Sequence, residues 1–176
     1  QAIAPAFTGV FVGEVLAVEP HPQADRLRVT TVTVGQAENL QIVCGAANVR
    51  AGLKVPVAVI GAVLPNDFAI KRAKLRGVES FGMLCAAQEL GLSPETDGLL
   101  ELSNDAPVGA SIRDYLHLDD VSMEFGITPN RGDCLSVLGM AREVSAFNNL
   151  PVTWPTIANV AATHQQKLTV NLQSDA

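Results

Sequence analysis

From Val10 to Leu64 the apolar residues come in short runs, each cut off by proline, glycine or asparagine before a long helix could form. Val10 to Glu19, VFVGEVLAVE, is apolar on both parities except at Glu14, which suits a strand covered on both faces, and Pro20-His21-Pro22 stops it. Between Leu27 and Val34 the parity changes: Leu27 and Val29 share one face, Val32 and Val34 the other. A bulge near Thr30 and Thr31 is the expected remedy, and it would bend the strand to serve both halves of a closed sheet. Leu40 to Gly45 and Val55 to Leu64 read as further strands with a turn at Ala46 to Gly52, and Gly98 to Leu102 as a last one. Short strands in this succession predict an all-β barrel.

One stretch of the chain concentrates charge. In AIKRAKLRGVESFGMLCAA, Ala69 to Ala87, four basic residues, Lys71, Arg72, Lys74 and Arg76, precede a glycine-containing turn and an apolar run. Alternation along a strand would put Lys71, Ala73 and Leu75 on one face, and Arg72, Lys74 and Arg76 on the other. Such a row is either a solvated face or a polyanion-binding rib. The overall charge of −6 speaks for the first. Its distribution speaks for the second: residues 1–77 carry eight basic and five acidic groups, net +3, and residues 78–176 four and thirteen, net −9. Aromatic residues make up only 5% of the chain, too few for a long platform of stacked bases.

Other chemistry is poorly supported by the residues. Cys44, Cys85 and Cys134 are widely spaced and, like His21, His117 and His164, show no metal-ligand spacing, so no metal site is expected. Cys134 precedes a helix-like segment, where a thiol could be activated, but its surroundings read as core. No glycine-rich phosphate loop, paired carboxylates or partnered nucleophile is present, so no catalytic residue is assigned. No apolar run reaches the roughly 20 residues that cross a bilayer, and the free thiols suit a cytoplasmic protein.

Beyond the barrel, Ser111 is expected to cap a short helix with Asp114 at the capping-box position. Val121 to Ile127 reads as a strand, and Asp133 as the cap of a helix carrying Leu135, Leu138, Ala141, Val144 and Phe147 on one stripe. The expected division is a barrel at 1–118, a strand plus helix at 119–152, and a linker at 153–176 that closes on strand-like Lys167 to Leu172. The chain opens on Gln1 and stops just after that strand, as expected of a piece of a longer polypeptide.

Four groups of residues carry a family resemblance. Lys74 to Gly77 with Ser80 and Gly82 to Cys85 resembles the motif of the tRNA-binding oligonucleotide-binding (OB) barrel. That barrel is shared by free-standing tRNA-binding proteins, some methionyl-tRNA synthetases and the bacterial phenylalanyl-tRNA synthetase beta subunit. His21, Pro22, Ala24, Asp25 and Leu27, and Ile42 to Ala46 with Asn48 and Val49, look like the beta subunit in particular; Arg26 stands where that family often has lysine. Thr128 to Arg131 with Asp133 to Ser136, then Gly139, Ala141, Arg142 and Glu143, resembles the beta subunit again and not the other barrels. The likeness covers residues 8 to about 152.

It implies a mainly β fold: a five-stranded OB barrel with short helices, followed by a small α+β appendage that is half of a split domain. The helix stripe would then lack part of its cover. It also implies a non-catalytic tRNA-binding part of a class II phenylalanine-tRNA ligase. The parent would use ATP and magnesium, work in the cytoplasm and pair with an alpha subunit as two alpha plus two beta, without membrane or DNA partners. Candidate tRNA contacts are Lys71, Arg72, Lys74 and Arg76 for phosphates, Asn48 and Ser80 as neutral donors, and Met83 against a base or ribose. Binding by this piece alone is expected to be weak. The alternatives are an assembly module with little tRNA contact and a free-standing barrel protein.

Overall fold

The structure is a computed structural model, and it describes residues 1–94, 98–163, 165–171 and 173. The chain forms two compact units, Gln1–Met123 and Glu124–Ala176.

The first unit is built on β1 (Thr8–Pro20), β2 (Arg28–Thr33), β3 (Leu40–Cys44), β4 (Lys54–Leu64), β5 (Phe68–Ala69), β6 (Ala73–Leu75), β7 (Val78–Ser80) and β8 (Gly82–Leu84). The main sheet runs β3-β2-β1-β4-β5, all antiparallel, and β8 adds to β4 through Val57–Leu84, Ala58–Met83 and Val59–Gly82. The chain is mainly β, with a nearly closed barrel and short helices. β1 is buried on both parities, as its composition predicts. Val10 and Val12 enter a core with Phe7, Leu64, Ile70, Leu90 and Ile112, whereas Val15 enters another with Val32, Ile42, Val55, Val57 and Leu84.

Closure of the barrel does not use a regular ladder. The free edge of β3 meets the β7–β8 segment through three bonds: Phe81 N–H to Gln41 O at 2.8 Å, Gln41 Nε2 to Glu79 O at 2.8 Å, and Val43 N–H to Ser80 Oγ at 3.1 Å. Ser80 Oγ in turn donates to Gly82 O at 3.0 Å. A hydroxyl therefore bridges the seam where the two backbones diverge.

Several sequence expectations are corrected. The β2 parity change needs no bulge in β2, because Thr30 points inward and satisfies its hydroxyl on Ile42 O at 2.8 Å. The register shift instead lies in β1 between Val15 and Ala17, opposite Val32 and Thr31. Gly98 to Leu102 is not a strand: Leu100 N–H and Leu102 N–H make single bonds to Cys85 O and Lys54 O, and Leu99 between them pairs with the Asn48 side chain, so no continuous ladder forms. Ser111 precedes α1 (Ile112–Tyr115) without a side-chain cap; its backbone makes an isolated bridge to Phe11. Val121 to Ile127 forms only the bridge Val121–Ala2, flanked by Ile3 N–H to Asp120 O and Ser122 N–H to Gln1 O. That pairing carries the first unit to Met123, past the expected boundary at 118.

In the second unit α2 (Val137–Asn148) is capped by Ser136, whose Oγ accepts from Gly139 N–H at 3.0 Å. Asp133, the expected cap, is held by Arg131 instead. Gly139 is required by close approach, because a Cβ there would lie 1.8 Å from Asp133 O. The helix stripe is largely uncovered, with Leu135 at 77%, Val144 at 50% and Phe147 at 86% exposure. Lys167 to Asn171 is not a strand, and Leu172 and His164 lie outside the described residues.

The seam makes a stability prediction. Ser80→Ala leaves the buried Val43 N–H without a partner and should destabilise the protein by about 1–3 kcal/mol. Urea unfolding of both proteins measures the difference.

Candidate nucleic-acid interface

The basic segment folds differently from the single alternating strand that its sequence suggests. β6 spans only Ala73–Leu75 and pairs with β7 through Ala73–Ser80, Lys74–Glu79 and Leu75–Val78. Arg76 and Gly77 form the two-residue turn, with φ of 43° and 91°. Hairpin turns of this kind take positive φ at both central residues, for which Asn-Gly is the favoured pair. Gly77 fits. Arg76 holds a left-handed conformation that L-residues with long side chains avoid, and its guanidinium stands at the hairpin tip.

The loop between β1 and β2 packs on this hairpin. His21 is 6% exposed and its Nε2 lies 3.1 Å from Leu75 O, while its Nδ1 accepts the Gln23 N–H at 3.1 Å. The loop closes on itself through His21 N–H to Leu27 O and Leu27 N–H to Ala24 O. Gly77 stands against Gln23, whose Oε1 would be 3.5 Å from a Cβ at Gly77. The hairpin belongs to the connection between β4 and β8, and in OB folds the loop after the first barrel strand and the one before the last are those that hold oligonucleotides.

The basic residues of the first 77 positions divide into two sets. Arg28 donates to Asp25 O and Leu27 O at 2.9 and 3.1 Å. Arg50 makes two 2.7 Å bonds to the Glu101 carboxylate, and Lys54 donates to Ala106 O at 2.7 Å. Arg72 is held by Glu79 at 2.5 Å and lies 5.1 Å from the centroid of Phe81. Those four are committed to the protein. Arg26, Lys71, Lys74 and Arg76 are exposed and make no ion pair among the described residues. Arg26 lies in the β1–β2 loop and Lys74 and Arg76 in the β6–β7 hairpin that His21 joins to it, with Lys71 just before β6.

The remaining sequence candidates are placed as follows. Ser80 is 2% exposed with its hydroxyl occupied at the seam, which leaves it no face toward a ligand. Asn48 copies a backbone partner, donating to Leu99 O at 3.1 Å and accepting from Leu99 N–H at 2.9 Å. Its amide also reaches Glu101 at 3.1 Å. Met83, half-buried on β8, packs against the core and shows one edge in a surface groove of about 580 Å³ with Leu64, Pro65, Phe68 and Gln88. Arg26 was missing from the sequence-based set. Its signal was a cation in the His-Pro turn, but only the fold brings that turn to the hairpin.

A metal is a poor fit to the one cluster of suitable type among the described residues. Asp133, Cys134 and Glu143 have ligand atoms within 4.8 Å of one another. Arg131, however, pairs with Asp133 at 3.0 Å and Glu143 at 2.6 Å, so a cation already occupies the centre. Burial also pushes the Cys134 thiol up, away from the thiolate a metal would need. Burial does the same at Cys85, to about 12.

Comparison with known proteins bears on this geometry. Residues 10–111 match the family described as "Putative tRNA binding domain". This chain belongs to that family. As a tRNA-binding domain it is 61% identical over 170 residues to the phenylalanine-tRNA ligase beta subunit of Pseudomonas putida, covering 97% of this chain and 21% of that relative. The beta subunit of Acinetobacter baylyi is 59% identical over 173 residues, covering 98% of this chain and 22% of the relative. The domain and its appendage therefore span about a fifth of these relatives. A MetRS related protein from Pyrococcus horikoshii aligns with 58% of this chain and 87% of its own at 28% identity and a TM-score of 0.43. No helix among the described residues is long and apolar enough to cross a membrane.

Two predictions follow from the tRNA-binding domain's surface. Arg76→Asn relieves the left-handed turn, and should stabilise the protein by about 1 kcal/mol while weakening polyanion binding; thermal unfolding and an RNA titration read the two effects separately. The second concerns pH. The Arg50 guanidinium, aided by the Asn48 amide, holds the Glu101 carboxyl at about 2, below its ordinary 4.5. A depressed folded-state value supports the fold above the ordinary carboxylate range and loses that support as pH falls toward 2. The stability gap between wild type and Glu101→Gln should therefore shrink on acidification, as denaturant midpoints taken from neutral pH downward will show.

Proposed function

We propose that this domain binds tRNA through the face formed by the β1–β2 loop and the β6–β7 hairpin, as an accessory, non-catalytic part of a phenylalanine-tRNA ligase beta subunit. The observation that carries the reading is the segregation of charge. Of the eight basic residues of positions 1–77, Arg28, Arg50, Lys54 and Arg72 are consumed by the protein, whereas Arg26 in the loop, Lys74 and Arg76 in the hairpin, and Lys71 just before the hairpin are left to solvent. Phosphate contacts of this type supply affinity and position, with little reading of base identity. Arg72 belongs to the support of the hairpin, since Glu79 and Phe81 hold its guanidinium.

In the parent enzyme, tRNA would be charged with phenylalanine using ATP and magnesium in the cytoplasm, with an alpha subunit as partner in an assembly of two alpha and two beta chains. The identity to beta subunits over nearly the whole chain supports this placement. A second reading, that the segment serves assembly, is favoured by one observation. Leu135, Val137 and Phe147 of the second unit are 77–91% exposed, which suits a surface that packs on other parts of a larger protein.

Titration of the protein with unmodified tRNA at several salt concentrations separates the two. Weak, salt-sensitive binding is expected. The double variant Lys74→Glu, Arg76→Glu should bind at least tenfold more weakly and lower the slope of log affinity against log salt by roughly 1.5. An unchanged slope would place these cations on a merely solvated face.

A further inference from the structure

Among the described residues, the tip of the basic hairpin is hydrogen-bonded to the rest of the fold by a single side chain. β7 is anchored at the seam through Glu79 O and Ser80 Oγ. β6 and its turn have, among the described residues, one hydrogen bond to anything but β7, and it comes from His21 at Leu75 O. A two-stranded hairpin with three-residue strands is marginal by itself. The order of the tip therefore depends on that bond.

The two bonds of His21 differ in sense. Because Nδ1 accepts the Gln23 N–H, the ring proton sits on Nε2, and Nε2–H donates to Leu75 O. One end of the imidazole shapes its own loop and the other holds the hairpin. Arg26 lies in the loop so shaped, and Lys74 and Arg76 flank the carbonyl so held.

We propose that His21 is the positioning residue that joins the β1–β2 loop and the β6–β7 hairpin into one rigid cationic unit, so that Arg26, Lys74 and Arg76 meet a polyanion in a fixed arrangement. The consequence for tRNA rests on the reading given under Proposed function; the ordering of the hairpin does not. Without the tether the hairpin tip moves in the free protein and must be ordered when a ligand binds, which lowers affinity with no phosphate contact removed.

Two substitutions separate the ends of the imidazole. In His21→Asn the side-chain carbonyl can still accept the N–H two residues on, an Asx turn, but the side chain is too short to reach Leu75. In His21→Gln the amide N–H stands at the reach of Nε2 and can donate to Leu75 O, while the loop bond is lost. Amide hydrogen exchange of Gly77 and Val78 is measured in the free proteins, and tRNA affinity and salt slope in titrations. H21N should lose protection at the tip and bind about tenfold more weakly with an unchanged salt slope, its melting temperature staying close to wild type. H21Q should stay close to wild type in both readouts. Wild-type exchange at the tip of H21N overturns the proposal, as does equal loss of protection in both variants, which would assign the effect to the loop bond. If wild-type protein binds no tRNA, the functional reading fails, and the exchange comparison still decides the role of His21.

Discussion

Closing a sheet into a barrel requires that the last strand satisfy the free edge of the third, and here that edge is met by a segment that is only partly strand. Ser80 Oγ takes the Val43 N–H, and Phe81 N–H reaches Gln41 O. The hydroxyl lets the backbone change direction without leaving a buried donor unpaired, which would cost about as much as several surface contacts supply. With the seam anchored at β7, the chain before it is free to leave the sheet. The β6–β7 hairpin is the result: it hangs from the barrel by its second strand, with its basic tip beside the β1–β2 loop.

Surface ion pairs contribute little to stability in a protein of this kind, but they decide which charges remain for a ligand. Glu79 removes Arg72 from the available set, and Glu101 removes Arg50. The overall charge of −6 is therefore a poor guide to the local field. Arg26, Lys74 and Arg76, without an ion-pair partner among the described residues, stand on two joined loops of an acidic chain, and nearby phosphates respond to them more than to charges beyond a Debye length. The left-handed Arg76 shows the same ordering of demands. A residue better suited to the turn is available in asparagine, yet the turn carries a guanidinium at its most exposed point.

The second unit is organised differently, around an ion cluster instead of a core. Arg131 bridges Asp133 and Glu143, tying the turn before α2 to the helix, and Gly139 allows the helix backbone to approach Asp133 O closely. The apolar stripe of α2 remains largely exposed. Arg142 lies 5.8 Å from the Trp154 ring centroid.

Strand periodicity and turn residues determined the β barrel, the two-sided burial of β1 and the helix at 137–148, because those features depend on neighbours in sequence. Motif resemblance located the family on residues that the fold then uses structurally: His21, Asn48 and Ser80 each join segments far apart in the chain. What the sequence could not decide was partnership. Whether Thr30 or a bulge settles the parity of β2, whether Asn48 and Ser80 face solvent or replace backbone partners, and which four of eight cations stay unpaired are questions about groups separated by tens of residues. Such pairings depend on where the chain folds back, and local composition carries no record of that; only the tertiary structure brings the loop of Arg26 to the hairpin of Arg76 and pairs Arg72 with Glu79.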